Sequence, residues 1–370
     1  MIPILAVAAL TASLFFIGTN IVVFSVVLGL LIAALAVVLW RAHSETISVP
    51  RSALTVSLTL FWLWLAVTLL WTPVSFVSTT MFWWLSALPL GFWLYTLQPA
   101  RTRAWPWLAG LSLLVGHGLV LTGAFQRLVK DATPQSAFLD VNIQAAVLML
   151  MALPAGGYML RMGAARRAGG PSAAGAGTRK SGRRWDTRLT VLLGFSFLLL
   201  VYGLMLTRSR GGILAFFVGT AVLLVMAARH VPRKWLAIYA GLVAFAFLLA
   251  DLSWGGALLG RMAETFQDIH RASTGRFAIW RESWRLLFEQ SPLWGIGLGL
   301  YSLVWPPYRA PEDASGGYFA HNDYLQIWIE TGLPGLLLLL AVLVGAAWVV
   351  WRALRRDNLL GAVRIEIAGL

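Results

Sequence analysis

Two short polar clusters, Thr207-Arg208-Ser209-Arg210-Gly211-Gly212 and His321-Asn322-Asp323-Tyr324-Leu325-Gln326, set guanidinium and imidazole groups hard against long apolar stretches. Arginine at a bilayer centre costs roughly 2.5–3.5 kcal/mol on insertion scales. Charge placed this tightly against apolar spans marks either a site or a membrane boundary. Arg208 and Arg210 fall where one apolar stretch ends and the next begins, and the stretch starting near Gly212 points its positive dipole end and unpaired N–H groups the same way. Gly211 and Gly212 are expected to let backbone N–H groups approach a ligand. Arg276 stands at the start of a predicted surface helix, and arginine matches phosphate oxygens in a bidentate fork. Lipid headgroup anchoring is the competing reading of these arginines.

Among the five histidines, His321 precedes an apolar stretch on the same side as the arginines, and an unperturbed imidazole near pH 6.5 suits proton abstraction at neutral pH. His43 and His230 fall in loops of the opposite face, and His270 lacks distinctive surroundings. His117 lies inside an apolar stretch between Gly116 and Gly118. Metal-ligand motifs are missing from the sequence: it has no Asp-x-Asp and no His-Glu-x-x-His, and Glu312, Asp313 and Asp323 have no ligand spacing around them. Arginines, one histidine and no metal motif suit a leaving group that needs only positive charge, such as a diphosphate. Sugar transfer from a diphosphate lipid fits: arginines steady the departing diphosphate and a base activates an acceptor hydroxyl.

The elements that must hold these residues are membrane helices. The chain is 59% hydrophobic and 12% charged, which is the composition of an integral membrane protein. Its mean hydropathy is +0.76. The fold class expected is all-α, a polytopic transmembrane helix bundle of about ten spans at 20 or so residues each. They fall near 3–18, 20–40, 53–71, 80–98, 105–123, 142–160, 189–207, 212–228, 235–250 and 333–351. The first starts directly after Met1-Ile2-Pro3 without a basic n-region, so it reads as a retained helix and not a removed signal peptide. Cysteine is absent, so disulfides and thiolate metal sites are excluded.

The net charge of +14 is better explained by topology than by nucleic-acid binding. With the N-terminus in the cytoplasm, 19 of the 29 Lys and Arg fall in inside loops and 11 of the 15 Asp and Glu fall outside, as the positive-inside rule demands. Residues 161–188, running from Arg166-Arg167 through Arg183-Arg184, read as a basic cytoplasmic linker between a six-span half (1–160) and a C-terminal catalytic half (189–370). Residues 251–332 form a long exterior loop, which puts both polar clusters on one face of the membrane. Within it, Gly275–Gln290 reads as an amphipathic helix capped by Ser273 or Thr274, with Phe277, Trp280, Trp284, Leu287 and Phe288 as the apolar stripe. Such a helix either lies in the headgroup zone or packs on the mouth of the bundle. Gly295-Ile296-Gly297-Leu298-Gly299 lacks the glycine spacing and βαβ surroundings of a dinucleotide loop.

The same clusters carry a resemblance. Thr207-Arg208-Ser209-Arg210-Gly211-Gly212 resembles the Ser-Arg-Gly element of the O-antigen ligase and polymerase family. Thr274-Gly275-Arg276 with Trp280, Pro292 and Gly295–Gly299 resembles its exterior-loop signature. His321–Gln326 followed by Glu330-Thr331-Gly332-Leu333-Pro334-Gly335 is similar to its histidine motif and the start of the next span, and Asn142 at the head of the sixth span also fits. The resemblance covers roughly residues 140–350; the earlier spans match only as apolar spans.

It implies a GT-C-like, metal-independent glycosyltransferase without cofactor, in a bacterial inner membrane with its active site at the periplasmic face. The donor it implies is an undecaprenyl-diphosphate-linked glycan; the acceptor is lipid A-core for a ligase, a growing polysaccharide for a polymerase, or a protein hydroxyl. By the same resemblance Arg210 and Arg276 bind the diphosphate, Arg208 is an additional arginine and His321 activates the acceptor. Asn322, Tyr324, Glu330 and Asn142 are supporting candidates. Family members commonly carry further spans, and Ile365–Leu370 resembles the start of one. A transporter for an anionic lipid-linked substrate is the non-enzyme alternative; it calls for polar groups at mid-membrane, and His117 is the one ionisable residue deep in a span.

Overall fold

A computed structural model describes residues 52–96, 101–134, 141–167, 179–267, 275–309 and 319–355, together with Gly29 and Ile32. The expected spans at 3–18 and 20–40 otherwise lie outside the described residues, as do Ser273, Thr274, His270, Glu312, Asp313 and Ile365–Leu370. The described residues are helical with no strand among them: α1 (Ala53–Val67), α2 (Ser75–Thr96), α3 (Arg101–Leu128), α4 (Val141–Arg167), α5 (Arg179–Leu206), α6 (Arg210–Ala227), α7 (Arg233–Ser253), α8 (Ala257–Gln267), α9 (Arg276–Gln290), α10 (Tyr301–Val304) and α11 (Asp323–Arg355).

Among the described residues, six segments are long and apolar enough to cross a membrane: Ala53–Leu70, Val141–Met162, Arg188–Leu206, Arg210–Ala227, Arg233–Ser253 and Asp323–Arg352. The expected spans at 80–98 and 105–123 fall on α2 and α3, which are helical but not among those six. In the basic stretch 161–188, α4 continues through Arg167 and α5 already begins at Arg179. The spans leave many large apolar side chains exposed, among them Leu214, Val225 and Leu248, as lipid-facing helices do.

The chain divides into two compact units, one containing Val22–Trp105 and Glu264–Val349 and the other containing Pro106–Ala263. The second unit is a helix bundle in which α5 packs on α4 and α7, and α6 on α4. Leu119, Leu148, Phe197, Leu204, Phe216 and Tyr239 are fully buried at its centre. Tyr239 sits 4.6 Å from Phe197, ring centroid to centroid, and its hydroxyl bonds Thr220 Oγ1 at 3.2 Å. A phenol buried among apolar helices needs such a partner, because an unpaired polar group there costs several kcal/mol on the order of a lost hydrogen bond.

The first unit is organised around a break in α11. Gly332 adopts φ 73° and ψ −179°, and Pro334 follows it. Without continuous helix the carbonyls of Ile329, Glu330 and Thr331 lose their own donors, since proline has no N–H and the chain has turned. Each finds another. Ile296 N donates to Ile329 O at 2.9 Å and Gly297 N to Glu330 O at 3.0 Å. Trp64 Nε1 of α1 donates to Thr331 O at 2.9 Å. In return Leu333 N reaches Leu293 O at 3.2 Å.

Two backbones can cross this closely only where neither carries a Cβ. One added to Gly332 would stand 2.2 Å from Leu293 O, and one added to Gly295 would stand 2.5 Å from Glu330 O. Both glycines also have φ above 70°, a region that L side chains disfavour. The glycine-rich Gly295–Gly299 stretch is therefore a strap laid across a broken helix.

α9 forms as the heptad-like spacing predicts, but its buried stripe differs. Ile279, Ser283, Leu286 and Leu287 are buried, whereas Phe277, Trp284 and Phe288 are exposed. The reason is a polar match across the interface: Ser283 Oγ bonds the Tyr301 hydroxyl at 2.8 Å, so a serine joins the buried face against Tyr301, Trp305, Leu325 and Ile329. The displaced aromatics collect into an outer cluster, with Trp284 at 5.4 Å from Trp328 and 5.8 Å from Phe288.

Candidate functional site

The sequence-predicted residues divide between the two units. Asn142, Arg208 and Arg210 belong to the unit containing 106–263; Arg276, His321, Asn322, Tyr324 and Glu330 belong to the other.

In the first group, the turn between α5 and α6 is built from its own side chains. Thr207 Oγ1 donates to Leu204 O at 2.7 Å and accepts from Ser209 N at 3.2 Å. Ser209 caps α6: its Oγ accepts from Gly212 N at 3.2 Å and donates to Asn142 Oδ1 at 2.7 Å. Asn142, in the first turn of α4, thereby locks the start of one helix to the start of another. Arg210 is the first residue of α6, and Arg208 has left-handed backbone, φ 53°. A non-glycine residue in that region is strained by about 1 kcal/mol or more, and such residues gather at functional turns.

Gly212 does not serve ligand approach as expected. Its N–H is taken by Ser209, and a Cβ there would stand 2.6 Å from Ala145 Cβ, so the glycine allows α6 to close on α4. Gly211 has open space around it.

In the second group, Asn322 caps α11 by accepting from Leu325 N at 3.2 Å, and Tyr324 is exposed in the first turn. His321 lies just before this cap, exposed, with φ 52°. The turn is held from behind. Ala320, fully buried, donates its N–H to Gln326 Oε1 at 3.1 Å and accepts from Trp280 Nε1 at 3.0 Å. Gln326 Nε2 then donates to Glu330 Oε1 at 3.0 Å.

Glu330 is itself buried, 4% exposed. Its Oε2 accepts from Gly299 N at 2.7 Å and its Oε1 from Tyr301 N at 3.4 Å. One carboxyl group thus ties the glycine strap, the start of α10 and the amide that fixes the histidine turn. A buried acidic group is tolerable only when its lone pairs are filled this way. Arg276 begins α9, half-buried, after Gly275 at φ 79°.

In the sequence Glu330 is a supporting candidate and Gln326 part of the histidine motif, but nothing there assigns the chain Glu330–Gln326–Ala320. The available signal was their i, i+4 spacing, which puts both on one helix face. Ser209 as cap and bridge was also missed, although serine directly before an apolar run is a cap signature. His117, the mid-span histidine, bonds the carbonyl of Leu113 in its own helix. Among the described residues no group of three or more His, Cys, Asp or Glu is arranged to hold a metal ion.

Residues 195–340 match the family model described as O-Antigen ligase. No curated protein and no solved structure matches the chain.

Proposed function

We propose that this chain, which carries a domain of the O-antigen ligase family over residues 195–340, transfers a glycan from a diphosphate-linked lipid to an acceptor hydroxyl. The donor is undecaprenyl-diphosphate-linked glycan, the acceptor lipid A-core, and the reaction takes place at the periplasmic face of the inner membrane in a GT-C-like bundle. The observation that carries this reading is the histidine turn inside the matched segment. An exposed imidazole is presented on strained backbone by a buried, fully hydrogen-bonded framework, which is how a general base is held in one geometry.

In this reaction the acceptor oxygen attacks the anomeric carbon of the donor sugar and the bond from that carbon to the diphosphate oxygen breaks. The acceptor proton passes to His321. The electron pair of the broken bond leaves with the lipid diphosphate, whose charge Arg210 and Arg276 offset through forked N–H contacts, with Arg208 assisting. Asn142 and Ser209 fix the Arg210 turn, and Asn322 fixes the helix that follows the histidine. Tyr324, exposed in the first turn of that helix, is a further candidate for acceptor contact.

The test uses the full chain in lipid nanodiscs with purified lipid-linked glycan and separate lipid A-core, polysaccharide and peptide acceptors. Transfer to lipid A-core with release of lipid diphosphate supports ligation. Transfer to polysaccharide or peptide instead reassigns the acceptor to polymerisation or protein glycosylation. Movement of intact donor across the bilayer without bond cleavage would mean a transporter.

A further inference from the structure

α9 has three faces of different character. Ile279, Ser283, Leu286 and Leu287 make the buried one. Phe277, Trp284 and Phe288, spaced i, i+7 and i+11 and so aligned at about 3.6 residues per turn, make a second face that is exposed. Arg281, Arg285 and Glu289 make a third, also exposed, and the aromatic face lies between them and the buried one.

Trp328 of α11 extends the aromatic face, 5.4 Å from Trp284 and 6.5 Å from Phe288 between ring centroids. Its Nε1 donates to Pro292 O at 2.8 Å, and the next two residues, Leu293 and Trp294, are exposed as well.

The break in α11 sets the depth of this cluster. Residues 333–351, after Gly332, reach about 28 Å at about 1.5 Å each, close to the ~30 Å hydrocarbon core of a bilayer. The part before the break carries Asp323, Gln326, Glu330 and Thr331, which suits the headgroup zone and not the hydrocarbon. α9 is attached to that part, since Ile279, Leu286 and Leu287 pack with Leu325 and Ile329. Its aromatic face therefore stands at the depth where tryptophan rings are enriched in membrane proteins.

The charges beside that face pair among themselves. Arg281 Nε bonds Glu282 Oε1 at 2.7 Å, and Arg285 Nε bonds Glu289 Oε1 at 2.7 Å. Attraction to a charged partner is thus weak, and burial of the rings is what drives docking.

We propose that α9 is an interfacial helix whose Phe277–Trp284–Phe288 face, continued by Trp328, lies in the headgroup and upper acyl zone of the bilayer at the N-terminal end of α11. One apolar face is then covered by protein and the other by lipid. The proposal does not depend on glycan transfer.

The sequence has no cysteine, so a single-cysteine variant of the full chain takes one nitroxide label without background. Phe277→Cys, Trp284→Cys and Phe288→Cys sample the aromatic face; Arg285→Cys and Glu289→Cys sample the charged one. Folded variants, selected by thermal unfolding, are reconstituted in phosphatidylcholine vesicles with and without phosphatidylglycerol. Relaxation by oxygen, which partitions into lipid, is compared with relaxation by a water-soluble nickel chelate. Aromatic-face labels are expected about 5–10 Å into the headgroup and acyl boundary, and charged-face labels within reach of the chelate. The depth is expected to be the same in both lipid mixtures. Wild type in vesicles of diazirine-bearing phosphatidylcholine, mapped by mass spectrometry, keeps the test open should the variants unfold; lipid adducts are expected on 277–288 and on Trp328.

Aromatic-face labels as open to the chelate as charged-face labels, or no adduct on these residues, would overturn the proposal. Labels shielded from both reagents would assign the face to a protein partner, and spin–spin broadening there to a second copy of this chain; either result defeats it. Immersion that requires phosphatidylglycerol would mean capture by charge and would defeat it too.

Discussion

Replacing Glu330 tests whether one buried carboxyl group holds the histidine turn to the glycine strap. In Glu330→Ala the N–H of Gly299, 2.7 Å away, and the Nε2 of Gln326, 3.0 Å away, lose their acceptor; Tyr301 N, at 3.4 Å, loses a weaker one. A buried donor left unsatisfied costs about 1–3 kcal/mol, so the two strong contacts together cost about 2–6 kcal/mol. That is a large share of the ~5–15 kcal/mol that stabilises a typical domain.

Glu330→Gln is the informative intermediate. Its amide oxygen can still accept from Gly299 N, but its NH2 then faces the Gln326 donor. Flipping Gln326 relieves that clash only by turning a donor toward Ala320 N, which now bonds Gln326 Oε1 at 3.1 Å. One mismatched donor pair remains in either arrangement, a cost of about 1–3 kcal/mol.

Thermal unfolding in nanodiscs is expected to rank wild type above Glu330→Gln above Glu330→Ala. Transfer activity at a temperature where all three are folded is expected to fall in the same order, since His321 loses its support. A Glu330→Ala protein that unfolds with wild type and transfers glycan at the wild-type rate would refute the reasoning.

Other substitutions follow from the same geometry. Gly212→Ala drives a methyl to 2.6 Å from Ala145 Cβ and is expected to destabilise by about 1–3 kcal/mol, read by thermal unfolding. Ser209→Ala removes both the α6 cap and the bond to Asn142, for a loss of about 0.5–2 kcal/mol by the same measurement. Arg210→Ala and Arg276→Ala are expected to impair donor use more than the Lys replacements, which keep charge but lose the fork; equal donor KM across all four would remove both from donor binding. Arg285, beside Glu289 at 2.7 Å, holds that carboxyl below its usual range. A lowered folded-state value makes any contribution present near neutral pH and lost as the solution is acidified through it. The pair is solvent-exposed, so Arg285→Ala is expected to leave the unfolding temperature unchanged at pH 7 and at pH 4 alike.

What was legible in the sequence follows from what leaves a one-dimensional trace. Long apolar runs gave the helices of α1, α4, α5, α6 and α7 because a span must satisfy its own backbone. Arg210 and Arg276 were expected at helix starts and stand as the first residues of α6 and α9. The break at Gly332 was less visible, since its cost is met by Ile296, Gly297 and Trp64, donors far away in sequence. The buried stripe of α9 was misassigned for a related reason. Apolar periodicity favours Phe277 and Trp284, but a serine that finds a tyrosine hydroxyl can turn the helix onto Ser283. Left-handed backbone at Arg208 has no compositional signal, because arginine is not a residue type enriched in that conformation; at His321 the signal is weak, since histidine is enriched there but most histidines lie elsewhere.

The central claim is bond cleavage at the donor diphosphate with proton removal by His321. The most direct measurement mixes purified wild-type and His321→Ala proteins, matched for folding, with labelled undecaprenyl-diphosphate glycan and lipid A-core, and follows free lipid diphosphate together with glycosylated acceptor. Wild type is predicted to form both in equal amounts, and His321→Ala to be slower by about 10²–10⁴-fold, the range for loss of a general base. Undiminished transfer by His321→Ala, or no release of lipid diphosphate by wild type with any acceptor, would contradict the account.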